Sequence, residues 1–279
     1  MTLFEWRKNS TLPVHETDMI IQHICNLNRT DIILKEHNYE LNCEQISAMT
    51  SLLQRRLESL EPIQYLLGYT YFCGRNFFVT PDVLIPRFDT ETLIEAVKPI
   101  IKKKINESSK NLEKLKILDL CTGSGCIICT LAEDTFIQRS AAFSASDISE
   151  KALTVAKRNA LGLPINFIQS DLFENINDTF DIIVSNPPYI SQKEMDELDK
   201  EVFDFEPHLA LFGGVDGLDI YRRIASEIQK YTKKNSHVFL EIGFAQGSQV
   251  SEIFSSKFSN CEIIKDIDGK DRVVHLFNS

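Results

Sequence analysis

The pattern of apolar and polar positions along the chain changes near residue 60. Before this point apolar residues recur at helical spacing, and Asn42 stands where a helix N-cap is favoured. Beyond it, short apolar runs alternate with longer amphipathic segments, as in chains whose strands alternate with helices. The pattern predicts a small helical bundle followed by an α/β domain with a doubly wound, mainly parallel sheet.

Breaks in this pattern divide the chain into three predicted segments. Residues 1–60 form the helical bundle, residues 61–86 form a linker, and residues 87–279 form the α/β domain. Within the linker, Tyr69–Phe72 and 77–80 look like two strands joined by a tight turn. The linker is therefore expected to contain a β-hairpin.

Two further segments of the α/β domain have a predicted structure. The polar stretch 102–114 is expected to be a solvated loop or helix end. Near the C-terminus, the apolar segments 263–266 and 272–276 flank an Asp268-Gly269 turn. This second hairpin is expected to add an antiparallel edge strand to the sheet.

A glycine-rich turn follows the first long strand of the α/β domain. The predicted strand Leu115–Leu120 runs into Cys121-Thr122-Gly123-Ser124-Gly125, and the apolar helix Cys126–Ala132 comes next. Gly123 and Gly125 let the backbone approach a ligand closely at a helix N-terminus. The turn is therefore a candidate ligand-binding loop.

An acidic residue ends the next predicted strand. This strand, 141–146, is followed by Asp147, which lies about 20 residues beyond the glycines, the spacing at which a carboxylate accepts hydrogen bonds from a ribose. Ile128 occupies the place of the third glycine in the dinucleotide pattern. The pattern therefore favours a nucleoside ligand and weakens a pyrophosphate-binding interpretation.

The sequence Asn186-Pro187-Pro188-Tyr189 follows the predicted buried strand 180–185. Two prolines stop the strand and stiffen the backbone. The Asn186 side-chain oxygen and the Pro187 carbonyl can accept both hydrogens of a planar NH2 group, and the Tyr189 ring can stack on its plane. A plain structural turn is the alternative, because Asn-Pro often starts turns.

Composition narrows the possible partners. The net charge is −10 over 279 residues, so a nucleic-acid duplex is not expected as a stable partner. The seven cysteines are scattered, and Cys126 and Cys129 are interpreted as buried apolar residues, without a metal. No apolar run approaches the length of a membrane span, so we expect a cytoplasmic, monomeric protein without membrane association.

The glycine loop, the acidic strand end and Asn-Pro-Pro-Tyr, in this order, resemble class I S-adenosylmethionine-dependent methyltransferases. Further motifs make the chain similar to the HemK/PrmC-type protein-(glutamine-N5) methyltransferases. These motifs are Pro62-Ile63-Gln64-Tyr65-Leu66-Leu67-Gly68, Val83-Leu84-Ile85-Pro86-Arg87-x-x-Thr90-Glu91, Asn186-Pro187-Pro188-Tyr189-Ile190, Phe205-Glu206-Pro207, Gly214-x-Asp216-Gly217-Leu218-x-x-Tyr221, Leu240-Glu241-Ile242-Gly243 with Gln246, and Lys265-Asp266-x-x-Gly269-x-Asp271-Arg272.

The resemblance implies methyl transfer from S-adenosyl-L-methionine, which leaves S-adenosyl-L-homocysteine, to the glutamine of the Gly-Gly-Gln motif in peptide chain release factors. It implies that the N-terminal helices help to hold the release factor. The expected catalytic residues are Asn186, Pro187 and Tyr189, which with Pro188 also bind the substrate. The expected cofactor-binding residues are Cys121, Thr122, Gly123, Ser124, Gly125, Asp147, Asp171, Leu172 and Asn186.

The chain departs from the family pattern at two places. Cys121 stands where the family commonly has glycine, and Phe88-Asp89 replaces Pro-Glu. For Asp171 a simple turn role is the alternative. The resemblance places Arg87 and Glu91 near the cofactor without a chemical step, and an ion pair at a helix start is the alternative.

Three other classes of protein fit the sequence less well. An amino methyltransferase acting on adenine N6 would use the same tetrapeptide, but it calls for basic, aromatic-rich recognition segments. A non-catalytic S-adenosylmethionine-binding protein would have no use for the amide, the two prolines and the aromatic ring together. A dinucleotide-dependent oxidoreductase would need a third glycine in the loop, and this chain has Ile128 at that position.

Overall fold

The computed structural model describes residues 1–107 and 113–278. The chain divides into two compact units. One unit comprises Met1–Tyr69 together with Asp199–Phe205, and the other comprises the rest of the described chain. Of the polar stretch predicted to be a loop or helix end, residues 108–112 lie outside the described residues.

The first unit begins with five helices, α1 (Leu3–Asn9), α2 (Val14–Cys25), α3 (Arg29–Lys35), α4 (Cys43–Ser59) and α5 (Ile63–Leu67). The predicted cap of α4 is confirmed, because Asn42 Oδ1 accepts the Gln45 backbone N–H at 2.8 Å and Gln45 Oε1 accepts the Asn42 N–H at 3.1 Å. Leu3, Ile20 and Met49 are fully buried between these helices. The helical character predicted for this part of the chain is confirmed.

The described residues contain nine strands, which apart from Tyr69 all belong to the second unit. They are β1 (Tyr69–Phe72), β2 (Arg75–Phe78), β3 (Leu115–Leu120), β4 (Ala141–Asp147), β5 (Ile165–Gln169), β6 (Phe180–Ser185), β7 (Thr232–Glu241), β8 (Asn260–Lys265) and β9 (Asp271–Phe277). Strands β1 and β2 form the predicted hairpin in the linker. The second of them begins at Arg75 rather than Phe77, because the turn takes up only Cys73 and Gly74.

The remaining helices are α6 (Glu91–Glu107), α7 (Cys126–Ala132), α8 (Thr135–Ser140), α9 (Glu150–Asn159), α10 (Gln192–Asp196), α11 (Lys200–Phe205), α12 (His208–Leu211), α13 (Asp219–Glu227) and α14 (Gly247–Phe254). Helix α11 belongs to the first unit. Two short 3-10 turns lie at Phe88–Thr90 and Ile228–Lys230.

The seven-stranded sheet has the order β5-β4-β3-β6-β7-β9-β8. The first five strands in this order are parallel, β9 runs antiparallel to β7, and β8 pairs antiparallel with β9 at the edge. The predicted doubly wound, mainly parallel sheet and its C-terminal edge hairpin are thereby confirmed.

Helices cover both faces of this sheet. Ile117 and Ile182 pack with Ile101 of α6 and Ile128 of α7 on one face. On the other face, a second apolar cluster includes Tyr221 of α13 and Phe254 of α14. Burial on both sides explains why β3 and β6 are mostly apolar, without the strict alternation of a strand that is exposed on one face.

The point where the strand order reverses lies at β3. The next strand in the chain, β4, lies on one side of it, whereas β6 lies on the other. Loops that leave the carboxyl ends of these strands diverge, and such a crevice is where open α/β sheets bind ligands. The glycine loop, Asp147 and Asn186 all follow strands that end at this edge.

Two findings concern cysteines and membranes. All seven cysteines are free, and Cys126 and Cys129 are buried in α7, as predicted. Within residues 1–107 and 113–278, none of the helices combines the length and the apolar character needed to cross a bilayer.

Candidate active site

The glycine loop folds back on itself directly after β3. Thr122 donates its backbone N–H to the Ser146 carbonyl at 2.9 Å, and the Gly125 N–H bonds the Thr122 carbonyl at 2.8 Å. The Thr122 hydroxyl donates to Asp119 Oδ2 at 2.6 Å beneath the loop. Burial raises the pKa of Asp119 to about 7. These bonds hold the loop between the ends of β3 and β4.

The two glycines of the loop have different surroundings. Both have positive φ, +54° at Gly123 and +77° at Gly125. A Cβ on Gly123 would have nothing within 4 Å, whereas one on Gly125 would meet the Ala156 Cβ at 3.1 Å. Gly125 therefore serves the packing of α7 against α9, and only Gly123 faces open space. A contact of Gly125 with the cofactor stays a prediction.

Cys121 is a further left-handed residue in this loop, with φ of 61°. An L-residue in this conformation costs about 1–2 kcal/mol of backbone strain. Glycine therefore suits the position, and the cysteine that this chain has instead makes the folded loop less stable. The Cys121 side chain lines the pocket, and burial raises the pKa of its thiol above the ordinary range.

Asp147 joins the glycine loop to the start of α9. Its Oδ2 accepts the Gly123 N–H at 2.8 Å, and its Oδ1 accepts the Ser149 N–H at 2.9 Å. Burial raises the pKa of this carboxyl, whereas the backbone donors oppose that shift. Each carboxylate oxygen can accept more than one hydrogen bond, so the group can also receive ribose hydroxyls.

A pocket opens at this edge of the sheet within the second unit. It brings together most of the predicted cofactor-binding residues: Cys121, Thr122, Gly123, Ser124, Asp147, Asp171, Leu172 and Asn186. Pro188 also lines it, whereas Gly125, Pro187 and Tyr189 are not among its lining residues. The assignment of these residues to cofactor or substrate stays a prediction.

Asp171 and Leu172 lie on the same side of the pocket, after β5. Asp171 pairs with Arg223 of α13, with 2.8 Å between Oδ1 and Nη2. Leu172 is buried with a positive φ of 49°. Asp171 is thus more than a turn residue, because it ties the loop after β5 to α13.

The Asn186-Pro187-Pro188-Tyr189 corner is braced from outside the motif. Gln246 Nε2 donates to the Tyr189 carbonyl at 3.0 Å. A Cβ on Gly213 would lie 2.7 Å from the Tyr189 Cα, so the neighbouring loop can pack here only without a side chain. The corner is therefore held in place by contacts to distant segments of the chain.

Two side chains of the corner, Asn186 and Tyr189, have buried polar partners. Asn186 Nδ2 donates to Thr90 Oγ1 at 3.3 Å, and the Tyr189 hydroxyl lies 3.5 Å from Glu241 Oε1. Burial raises the pKa of the Tyr189 hydroxyl above the ordinary range. Glu241 is fully buried, and burial raises its pKa to about 7. Thr90 was not among the predicted site residues, although it belongs to a quoted motif.

Arg87 and Glu91 do not form the ion pair considered from the sequence. Arg87 instead pairs with Glu206, whose other oxygen accepts the Ile85 N–H at 3.4 Å. Glu91 accepts the Cys73 backbone N–H at 2.8 Å. Glu206 is almost fully buried, as expected for a structural carboxylate, and it fixes the segment that lines one wall of the pocket.

Two family models match the chain. The PrmC N-terminal domain matches residues 7–68, and the methyltransferase small domain matches residues 102–205. Among solved structures, the hMettl16 catalytic domain aligns with a TM-score of 0.56 at 13% identity, over 90% of this chain and 92% of that chain. T. thermophilus RsmC, solved with AdoMet and guanosine, aligns with a TM-score of 0.50 at 16% identity, over 76% of this chain and 50% of that chain. The fold and the site define a class I S-adenosylmethionine-dependent methyltransferase.

Relatives in sequence specify the family. The release factor glutamine methyltransferase of Bacillus cereus is 37% identical over 92% of this chain and 90% of its own length. That of Lactococcus lactis is 42% identical over 84% of this chain and 83% of its own length. The chain belongs to the release factor glutamine methyltransferase family. The bifunctional methyltransferase of Rickettsia typhi is 39% identical over 95% of this chain, which spans about half (53%) of that relative.

Proposed function

We propose that this protein transfers a methyl group from S-adenosyl-L-methionine to the side-chain amide nitrogen (N5) of the glutamine in the Gly-Gly-Gln motif of peptide chain release factors. One observation carries the proposal: Asn186 of the corner, Gly123 of the glycine loop and Asp147 line the same pocket. The names of the relatives in sequence support it independently.

The residues of the pocket suit S-adenosylmethionine. Asp147 offers carboxylate oxygens to the ribose, Gly123 leaves open space for close approach of a ligand, and Leu172 supplies an apolar wall for the adenine. Thr122 and Gly123 hold the methionine end. Bound there, the cofactor would supply an electrophilic methyl group on a sulfonium, with S-adenosyl-L-homocysteine as the leaving group.

The chain's own residues orient the substrate. The lone pair of an amide nitrogen is delocalised, so the nitrogen is a poor nucleophile. Asn186 Oδ1 and the Pro187 carbonyl accept its two hydrogens and direct the nitrogen towards the methyl group, while the Tyr189 ring stacks on the amide plane. Orientation of this kind can lower a barrier by about 7–11 kcal/mol. The methylated nitrogen is acidic and loses its extra proton to water.

The remaining parts of the proposal concern the roles of the three segments, the state of the protein and its partners. Residues 1–60 help to hold the release factor, residues 61–86 link them to the catalytic domain, and residues 87–279 bind the cofactor. The protein acts as a cytoplasmic monomer without a metal. The net charge of −10 supports the further proposal that it forms no stable complex with nucleic acid.

The test is a reaction with labelled S-adenosylmethionine and a panel of release factors, DNA and tRNA, followed by mass spectrometry. The methyl group should appear on the glutamine of the Gly-Gly-Gln loop. Asn186→Ala should lose most of the activity and still fold normally. Asn175→Ala is the matched control, because its side chain is exposed and its amide donates to the Gln169 carbonyl at 2.9 Å, outside the Asn186 corner. Methylation of DNA or tRNA alone would overturn the proposal in favour of an adenine N6 methyltransferase.

A further inference from the structure

Asn159 is the last residue of α9, and its side chain is buried next to the glycine loop. An amide side chain has two hydrogens to donate and one oxygen that accepts. Burial of these polar groups costs free energy unless each of them finds a partner. The partners of the Asn159 amide therefore indicate what this residue does.

The amide pairs with Phe78 as the backbone of a neighbouring strand would. Asn159 Oδ1 accepts the Phe78 backbone N–H at 2.7 Å, and Nδ2 donates to the Phe78 carbonyl at 2.9 Å. Phe78 is the last residue of β2. Two opposed hydrogen bonds of this kind fix both the distance and the direction of the strand end, because neither bond survives if the strand slides or turns.

The amide also reaches the glycine loop. Nδ2 donates to the Ser124 carbonyl at 2.9 Å, so both of its hydrogens have an acceptor. Ser124 lies between Gly123 and Gly125, which both have a positive φ. Glycines allow many backbone conformations, so a loop that contains two of them needs contacts from outside to keep one conformation. Asn159 supplies such a contact.

These three hydrogen bonds join two walls of the pocket. Gly123 and Ser124 line the pocket from the glycine loop, whereas Asp82, Val83 and Leu84 line it from the segment that follows β2. One buried amide thereby sets the distance between the two walls.

We propose that Asn159 is a positioning residue for S-adenosylmethionine, because it holds the glycine loop against the end of β2 in the form that receives the cofactor. Gly123 donates its N–H to Asp147 Oδ2 at 2.8 Å, so a shift of the loop also displaces the carboxylate assigned to the ribose. Asn159 is not one of the described residues that line the pocket, and it acts through the loop. This inference rests on the proposed function, in which the pocket binds this cofactor.

Loss of the Asn159 amide should therefore change cofactor binding rather than the chemical step. The affinity for S-adenosylmethionine should fall by about tenfold, as expected when a buried hydrogen bond is lost. The kcat at saturating cofactor and the KM for the release factor should stay within about threefold of wild type, because Asn186 and its neighbours are unchanged. General destabilisation has a different effect, since it lowers the amount of active enzyme and leaves the KM for S-adenosylmethionine unchanged.

The experiment compares three variants of the full chain. Asn159→Leu removes the three hydrogen bonds at nearly constant volume, and the side chain in Asn159→Ser is too short to reach both partners. Arg158→Met is the matched control. Arg158 also lies at the end of α9, and its guanidinium carbon lies 3.4 Å from the centre of the Phe78 ring. Its loss weakens the contact between α9 and β2 but leaves the bond from Asn159 to Ser124 in place.

Hydrogen exchange in the cofactor-free protein measures the loop directly. In wild type, the Gly123 N–H is bonded to Asp147 and the Gly125 N–H to the Thr122 carbonyl. Both amides should exchange at least about tenfold faster in the Asn159 variants, whereas the amides of β3 should exchange as in wild type. Faster exchange throughout β3 would instead indicate general destabilisation and would contradict the inference.

Calorimetry with S-adenosylmethionine and steady-state kinetics with a release factor complete the test. Both Asn159 variants should bind the cofactor about tenfold more weakly, and Arg158→Met should match wild type. If Asn159→Leu fails to fold, Asn159→Ser decides alone. An affinity within about threefold of wild type in a folded Asn159 variant, or an equal loss in Arg158→Met, overturns the inference. A wild-type chain that binds no S-adenosylmethionine refutes the proposed function itself.

Discussion

The contrast between Gly123 and Gly125 gives a quantitative prediction for the glycine loop. Both residues have positive φ, so alanine at either position costs about 1–2 kcal/mol of backbone strain. Alanine also restricts the unfolded chain, which raises the free energy of unfolding by about 0.4–1 kcal/mol and offsets part of the strain. For Gly123→Ala these terms leave a loss of about 1 kcal/mol, since its Cβ would meet nothing within 4 Å.

Gly125→Ala carries an additional contact term. Its Cβ would lie 3.1 Å from the Ala156 Cβ and 3.3 Å from the Ala156 Cα, and this backbone atom cannot turn aside as a flexible side chain would. Overpacking of this kind costs about 1–3 kcal/mol. We therefore expect Gly125→Ala to lose about 2–4 kcal/mol of unfolding free energy, clearly more than Gly123→Ala.

For cofactor affinity, Gly123→Ala should have the larger effect and Gly125→Ala the smaller one. A methyl group on Gly123 would project into the open space of the pocket and should weaken S-adenosylmethionine binding by about tenfold, or 1.4 kcal/mol. Gly125 does not line the pocket, so Gly125→Ala should bind with nearly normal affinity wherever it is folded.

Urea unfolding without cofactor, followed by far-UV circular dichroism, measures the stability term. Fluorescence is unsuitable because the single tryptophan, Trp6, lies in the helical unit. Calorimetry measures the affinity term. Equal stability of Gly123→Ala and Gly125→Ala, or a larger affinity loss for Gly125→Ala, would refute this reasoning.

Three other outcomes are expected. Asp147→Ala should weaken S-adenosylmethionine binding by about 1.5–3 kcal/mol, and unchanged affinity in calorimetry would remove this carboxylate from the ribose site. Burial lowers the pKa of His237 to about 4, and that of the adjacent His275 is also lowered, so the unfolded chain binds more protons between this pKa and the ordinary 6.5. The His237 contribution to stability should therefore fall by about 2–3 kcal/mol as pH drops from 7 to 4, whereas Asp119 and Glu241, whose pKa burial raises to about 7, contribute in the opposite direction. Urea titrations should show the His237 contribution as a difference in pH dependence between wild type and His237→Gln. Arg56→Met should destabilise the helical unit by about 3 kcal/mol, because it removes the two-point ion pair of 2.9 and 3.0 Å to the buried Glu16, and Glu16→Gln in the same chain should recover part of that loss.

The sequence alone determined the local features of the site. The apolar run before Asn186 predicted β6, and the run before Cys121 predicted β3 to the residue. The cap at Asn42 and the edge hairpin were likewise predicted. Such features depend on residues within a few positions of one another, so composition and spacing are sufficient to predict them.

The long-range contacts of these features became visible in the tertiary structure. Thr90 reaches Asn186 across 96 positions of sequence, and Gln246 reaches the Tyr189 carbonyl across 57. The role of Gly125 in helix packing depends on where Ala156 of α9 comes to lie. Such contacts arise from the order of strands in the sheet, which brings the ends of distant segments together at one edge, and no local pattern of residues encodes that meeting.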